Sequence, residues 1–345
     1  MTPQAALREG TSSATCGTVE LRGGSARVVL VPSLGGKVSE LTVGGRQWLW
    51  QNPDVPVGVR VEGTPFSLAS DCGGLDDCFP SSAECLIPTW VQGVRSRQLP
   101  DHGELWSQQP RFSLTAGERG TAATCSWDGV ALPYLFTRSI AAQLDGSVRF
   151  SYEVRNSGTH RLPFVWASFP LLPLTSATRI ALGDGARTRL WSQHGTELGR
   201  VGSEHRWPRF RVGSSLVDLS RPAHAMKEDY ACRLFVDLPR ERSIVAVEEG
   251  NDRLEMAVRA PWPVHAGVWI NRRGWPPSGP KRWSLLGGKA PPPPLHLAIG
   301  PCIGAPDSLA EALGGWDDAQ WIEPGATAQW TVTWSARRVE PEEGE

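Results

Sequence analysis

His102 stands in LPDHGELW between Asp101 and Glu104, beside Gly103 and outside any clean strand pattern. A loop histidine flanked by carboxylates can donate a hydrogen bond to a substrate hydroxyl. The same residue types also make an ordinary exposed turn, and both readings stay open. If the segment is extended, His102 and Glu104 project to one side, which makes them a candidate acid–base pair. Asp76 and Asp77 form a second acidic pair, within DCGGLDDCFPSSAEC. Adjacent carboxylates on an extended stretch point to opposite sides, so they are not expected to converge on one atom. The chain has 16 Trp against 3 Tyr, and an indole can cover the C–H face of a pyranose while polar side chains bind its hydroxyl edge. Trp106 in DHGELW and Trp275 in NRRGWPP fit that use, with Asn271 and Arg272 as rim candidates beside Trp275.

Other chemistry finds little support. There is no G-x-G-x-x-G after a strand, no G-x-x-x-x-G-K-[ST], no H-E-x-x-H and no G-x-S-x-G, so dinucleotide, nucleotide, zincin and α/β-hydrolase readings are disfavoured. Cys72, Cys78 and Cys85 lie close in sequence but lack C-x-x-C spacing, which favours free thiols over a metal site. The net charge of −1 argues against a general nucleic-acid binder or a lipid-docking surface. No apolar run is long enough to span a bilayer, and the first residues lack a basic start followed by an apolar stretch. We therefore expect a cytoplasmic protein with no cofactor and no metal, whose partner is a small molecule and neither nucleic acid nor membrane. The oligomeric state is left open.

The elements that must position these residues are mostly strands. Val148, Phe150, Tyr152 and Val154 alternate with polar neighbours after an Asp145-Gly146 turn, and Ala328, Trp330, Val332 and Trp334 do the same near the C-terminus. Both patterns read as strands with one buried face, placing Trp330 and Trp334 in a core. Further strands are expected at 27–31, 37–43, 124–130, 233–238, 243–250, 254–260 and 265–271. Gly44-Gly45 joins 37–43 to 46–50 as a hairpin. One short helix is expected in APDSLAEALGGW, where Ser308 and Glu311 form a capping box. KAPPPP at 289–294 reads as a rigid loop before a strand. His265 and His296 sit at strand starts and are expected to be structural. The fold class is all-β, a large antiparallel sandwich. We expect one domain over 16–336, a flexible tail at 1–15 and an acidic tail at 337–345.

The order of GGKVSEL…RQWLW, GGLDDCFPS, LPDHGELW, SYEVRNSG, FVWASFPLL, VWINRRGWP, IGPCIGAPDSL and EPGATAQWTVTW resembles the aldose 1-epimerase (galactose mutarotase-like) superfamily over residues 20–335. The resemblance implies an antiparallel β-supersandwich with a sugar cleft and the interconversion of aldose anomers. That reaction needs a base at the anomeric hydroxyl and an acid at the ring oxygen. In the family these are a Glu near the C-terminus and a His midway, with an earlier His holding substrate. The earlier His matches His102. Phe169 stands at the midway His position and Gly300 at the Glu position, and neither can transfer a proton.

Three functions follow. The first is a sugar binder, weak or inactive as a mutarotase, with His102, Asp76, Asp77, Trp106, Asn271, Arg272 and Trp275 as substrate contacts. The second is an active epimerase or isomerase with a relocated acid–base pair around His102, such as His102 with Glu104 or Asp77. The third is a structural or interaction module that binds no sugar.

Overall fold

The alternating segments become strands, as expected. Val148–Asn156 buries every second residue, and the strand Thr327–Arg338 buries Trp330, Val332 and Trp334. The chain is described by a computed structural model over residues 4–8, 17–52, 66, 73–117, 120–226, 229–275 and 295–339. The strands fall into two large sheets. The longer one places Thr18–Gly23, Ala26–Val31, Lys37–Val43, Leu75–Cys78, Trp166–Pro173, Leu295–Ile303, Val264–Arg272, Tyr230–Asp237 and Arg187–His194 side by side in that order. The second runs from Thr178–Ile180 through Ser243–Glu249, Asp252–Arg259, Thr327–Arg338, Val148–Asn156, Tyr134–Ala142 and Gly120–Asp128 to Arg111–Gly117. The pairings are antiparallel, for example Gly267 against Gly300 and Trp330 against Tyr152.

The core fills the space between these sheets. Tyr152 stacks on Trp330 with ring centroids 5.3 Å apart, and Trp166 from the other sheet meets them edge-on at 4.9 and 5.2 Å. Indoles at alternating strand positions therefore serve packing, as the pattern implies. The Gly44-Gly45 hairpin forms with both residues at positive φ, which glycine adopts without steric cost. Its second strand stops at Arg46–Gln47. The helix is four residues, Leu309–Ala312, and the Ser308 hydroxyl accepts the Glu311 backbone N–H.

Both expected tails are shorter than the sequence suggests. Gln4–Arg8 pairs antiparallel with Thr18–Gly23 as an edge strand, and the last strand reaches Arg338, with the Val339 N–H bonded to the Asn251 carbonyl. The proline-rich segment 289–294, Cys16 and Cys72 lie outside the described residues. Cys78, Cys125, Cys232 and Cys302 are buried free thiols and Cys85 is half-buried. No helix among the described residues is long and apolar enough to cross a membrane.

Candidate functional site

Strand alternation decides which residues face away from the core. Val264, Ala266, Val268 and Ile270 pack between the sheets, so His265, Gly267, Trp269 and Asn271 line the opposite face. By the same rule Arg233, Phe235 and Asp237 face outward from Tyr230–Asp237, and His296, Ala298, Gly300 and Cys302 from Leu295–Ile303. Cys78, Ala167, Phe235, Cys302 and Ala305 form a second apolar cluster there, with Phe169, Trp191 and Trp316 packed against it. This outer face of the long sheet is the candidate site.

His102 reaches it from a turn, not from an extended segment. His102 and Gly103 both have positive φ. The imidazole stacks on Phe66 with centroids 3.9 Å apart and meets Phe169 edge-on at 5.5 Å. Its Nδ1 lies 2.9 Å from Asp101 Oδ1. Because that carboxylate only accepts, we assign a proton to Nδ1, which leaves Nε2 as the ring nitrogen turned away from Asp101. Burial raises the Asp101 pKa, but adjacent His102 and the Phe66 backbone N–H outweigh it and hold the carboxyl below its ordinary range.

Glu104 does not pair with His102. The turn aims its carboxylate inward, where it accepts the Val130 and Ala131 backbone N–H groups at 3.1 and 2.7 Å and the Tyr134 hydroxyl at 2.6 Å. Same-side projection at i and i+2 requires an extended backbone, and positive φ at His102 breaks that condition. Glu104 anchors the loop instead. Trp106 is likewise no stacking platform: it is buried, and its indole N–H donates to the Asp101 carbonyl.

The two aspartates diverge as strand geometry demands. Asp77 points into the core and binds Arg138 Nη1 at 2.7 Å, which removes it from the site. Asp76 faces the other way, 3.2 Å from buried Lys37 Nζ, which also donates to the Gly73 carbonyl. At the far end, Asn271 grips the Trp275 backbone, donating to its carbonyl at 2.8 Å and accepting its N–H at 3.1 Å. That holds the Trp275 indole over His194 at 4.4 Å. Arg272 donates to the Met226 carbonyl at 2.6 Å. His102 stands against Phe169 and Trp275 against His194, and Asn271 and Arg272 bond the backbone at Trp275 and Met226.

Sequence reasoning missed the charged groups at the centre. Arg233 is 2% exposed and grips Asp307 with Nε and Nη2, both at 2.7 Å. Its guanidinium lies 5.2 Å from the Phe169 centroid and 4.7 Å from Phe235. Beside it His265 stands between Asp237, at 2.9 Å from Nδ1, and Asp318, at 3.0 Å from Nε2. The second contact is an ion pair and not an aligned hydrogen bond. Burial lowers the His265 pKa, but bonds to Asp237 and the charge of Asp318 outweigh it and raise the value. Arg189 completes this cluster, 2.6 Å from Asp318 Oδ2 and 4.2 Å from the Trp316 ring. His296, buried and stacked on Trp50 at 5.3 Å, has its pKa pushed down by burial to about 4.

Phe169 and Gly300 sit together on this face. Pairing between their strands is interrupted between Ala167–Cys302 and Leu171–Ala298. In that gap the Ser168–Pro170 backbone leans over Gly300, so that a Cβ at 300 would lie 2.1 Å from the Ser168 carbonyl oxygen and 2.8 Å from Pro170 Cδ. No side chain of any kind fits there without moving the backbone. The face therefore offers aromatic rings, two partly exposed imidazoles in His102 and His194, and buried charges paired among themselves.

No family model matches the chain, and no curated protein matches it by sequence. Solved structures do match it in fold. A galactose mutarotase-like protein from Clostridium acetobutylicum superposes with a TM-score of 0.60 at 9% identity, covering 98% of this chain and 99% of that one. A galactose mutarotase-like protein from Lactobacillus casei gives 0.55 at 13% identity, covering 93% and 100%. A galactose mutarotase related enzyme from Lactobacillus acidophilus gives 0.54 at 12%, covering 93% and 97%. The chain has the all-β sandwich fold of the galactose mutarotase-like proteins.

Proposed function

We propose that the chain binds a sugar or sugar derivative on the outer face of the long sheet, and that it lacks the acid–base pair of the mutarotase reaction. The carrying observation is the pairing of Phe169 with a Gly300 that has no room for a side chain, while His102 stays presented at the edge of the same face. Phe169, Trp191 and Trp275 supply rings for the C–H face of a pyranose, and His102 Nε2 supplies a polar contact for its hydroxyl edge. Anomer exchange needs a proton donor and a proton acceptor across the ring, and losing such a group costs roughly 100- to 10,000-fold each. A relocated pair is not favoured. His265 has both nitrogens against carboxylates, and Glu104 and Asp77 are bonded in the interior.

Isothermal titration with glucose, galactose, mannose and their 6-phosphates tests binding, with His102→Ala as control. Saturable binding that His102→Ala weakens supports the proposal. Heat changes absent for every sugar defeat it. Polarimetry on the same sugars tests the second half, and mutarotation faster than buffer alone overturns it.

A further inference from the structure

Away from this face, a groove of about 360 Å³ opens between the loop that precedes strand Gln98–Leu99 and the small sheet of Leu162–Phe164 and Gln320–Ile322. That volume lies within the range of small-molecule sites, roughly 300–1,000 Å³. Its walls include Trp90 and Trp321, whose ring centroids are 6.3 Å apart and tilted 36° into a wedge. Trp90 is 58% exposed, an unusual placement for an indole in a chain that buries Trp106, Trp166, Trp330 and Trp334 almost completely.

The exposed indole is held rigidly. Arg97 donates to the carbonyls of Ile87, Pro88, Thr89 and Val91 at 3.3, 2.6, 3.1 and 3.4 Å. Val91, next to Trp90, is buried. The loop is thus locked on both sides of the indole, so little ordering entropy remains to be lost on binding. Trp321 is fixed by alternation, since Ile322 enters the core and turns Trp321 outward. Arg161 lies over the Trp321 ring at 4.9 Å and pairs with Glu323 at 2.8 Å. Both side chains of that pair are more than half exposed, so they keep N–H and oxygen positions for a ligand. His160 and Gln92 add further polar groups to the wall.

A fixed aromatic wedge bordered by planar donors and acceptors matches one ligand chemistry. A pyranose has C–H faces for the indoles and vicinal hydroxyls that both give and accept hydrogen bonds. A cationic ligand would meet the Arg161 guanidinium already on the ring. A proline-rich peptide offers mainly acceptors and would give Glu323 no donor beyond the Arg161 it already has. We propose that the Trp90–Trp321 groove is a second saccharide site, independent of the His102 face, that takes a pyranose unit of an oligosaccharide. Trp90 and Trp321 stack on the sugar, and Arg161 and Glu323 bind its hydroxyls.

The test is titration of the full chain with maltohexaose, cellohexaose, xylohexaose and chitohexaose, read by heat and by tryptophan fluorescence. At least one probe should bind saturably. Trp90→Ala should weaken that binding roughly tenfold and Glu323→Ala should weaken it as well, while the component of binding that Trp90→Ala removes persists at full affinity in His102→Ala. Trp90 is exposed, so its variant should keep the parental melting temperature. The proposal falls if no probe binds, if no component of the binding is lost in Trp90→Ala, if His102→Ala abolishes the component that Trp90→Ala removes, or if decaproline displaces the sugar from it.

Discussion

Gly300→Ala adds one methyl group where the proposed loss of chemistry is most exposed to test. The new Cβ would lie 2.1 Å from the Ser168 carbonyl oxygen and 2.8 Å from Pro170 Cδ. A carbon–oxygen contact normally sits at about 3.3 Å or more, so the first contact falls short by about 1.2 Å. Neither atom can rotate away. The carbonyl belongs to the Trp166–Pro173 strand, itself bonded to Leu75–Cys78 on its other edge. Overpacking costs about 1–3 kcal/mol and more when backbone must move, so about 3 kcal/mol is expected. A chain of this length has an unfolding entropy of roughly 0.7 kcal/mol/K, and Gly300→Ala should lower the melting temperature by about 4 °C. Scanning calorimetry reads that directly. Phe169→His alone should fold, because the ring is only partly buried where it packs against the second apolar cluster, His102 and Arg233. Adding Gly300→Glu should unfold the protein without creating mutarotation. A Gly300→Ala variant that melts with the parent, or a Phe169→His/Gly300→Glu variant that accelerates mutarotation, would refute the reasoning.

Arg138→Met strands the Asp77 carboxylate in the core and should cost about 3–5 kcal/mol in urea unfolding. Asp77→Asn added to it should recover part of the loss, and equal stability of the single and double variants would count against the pair. Glu104→Gln places an amide N–H₂ among three donors and should cost about 2–3 kcal/mol. It should also weaken any ligand measured at His102, since it loosens the turn; thermal melts and titration check both. His296 has a folded pKa depressed to about 4 by burial. Its contribution is therefore present above the unfolded value near 6.5 and lost as pH falls toward 4, up to about 3 kcal/mol. His296→Phe keeps the stack on Trp50 and should flatten the stability profile between pH 6.5 and 4. His265 has the opposite sign: its raised pKa gives stability that is full below about 6.5 and declines as pH rises through the folded value. His265→Gln should remove that alkaline decline, seen in unfolding curves from pH 6 upward.

The fold was legible where one strand face meets water. Val148–Asn156 and Thr327–Arg338 alternate because their outer residues are solvated. The site was less so, because its strands are buried on both faces. In Tyr230–Asp237 every residue but Asp237 is buried, and no alternation marks Arg233 as facing a different side from Cys232. Arg233 and Asp307 are 74 positions apart, a separation that local pattern does not bridge. Glu104 was misread for a different reason: the i, i+2 argument supposes an extended backbone, and Gly103 was the sign of a turn. Nothing local marks Gln4–Arg8 as a strand, because its pairing depends on an edge that only the folded sheet provides.

Phe169 lies between His102 and Arg233. Gly267, paired across from Gly300, is crowded by the Arg233 guanidinium, which passes within 2.9 Å of where its Cβ would be. Arg233 can take that path because Gly267 carries no side chain there, and Asp307 neutralises its charge with two hydrogen bonds. Phe, the two glycines and the Arg–Asp pair therefore form one packed unit. Placing a carboxylate at 300 would displace the Ser168–Pro170 backbone. The charges that remain, Lys37 with Asp76 and His265 with Asp237 and Asp318, are likewise paired. On the proposed reading, such a face would hold a sugar by its rings and by His102, while its buried Lys37, Arg233 and His265 are already held by carboxylates.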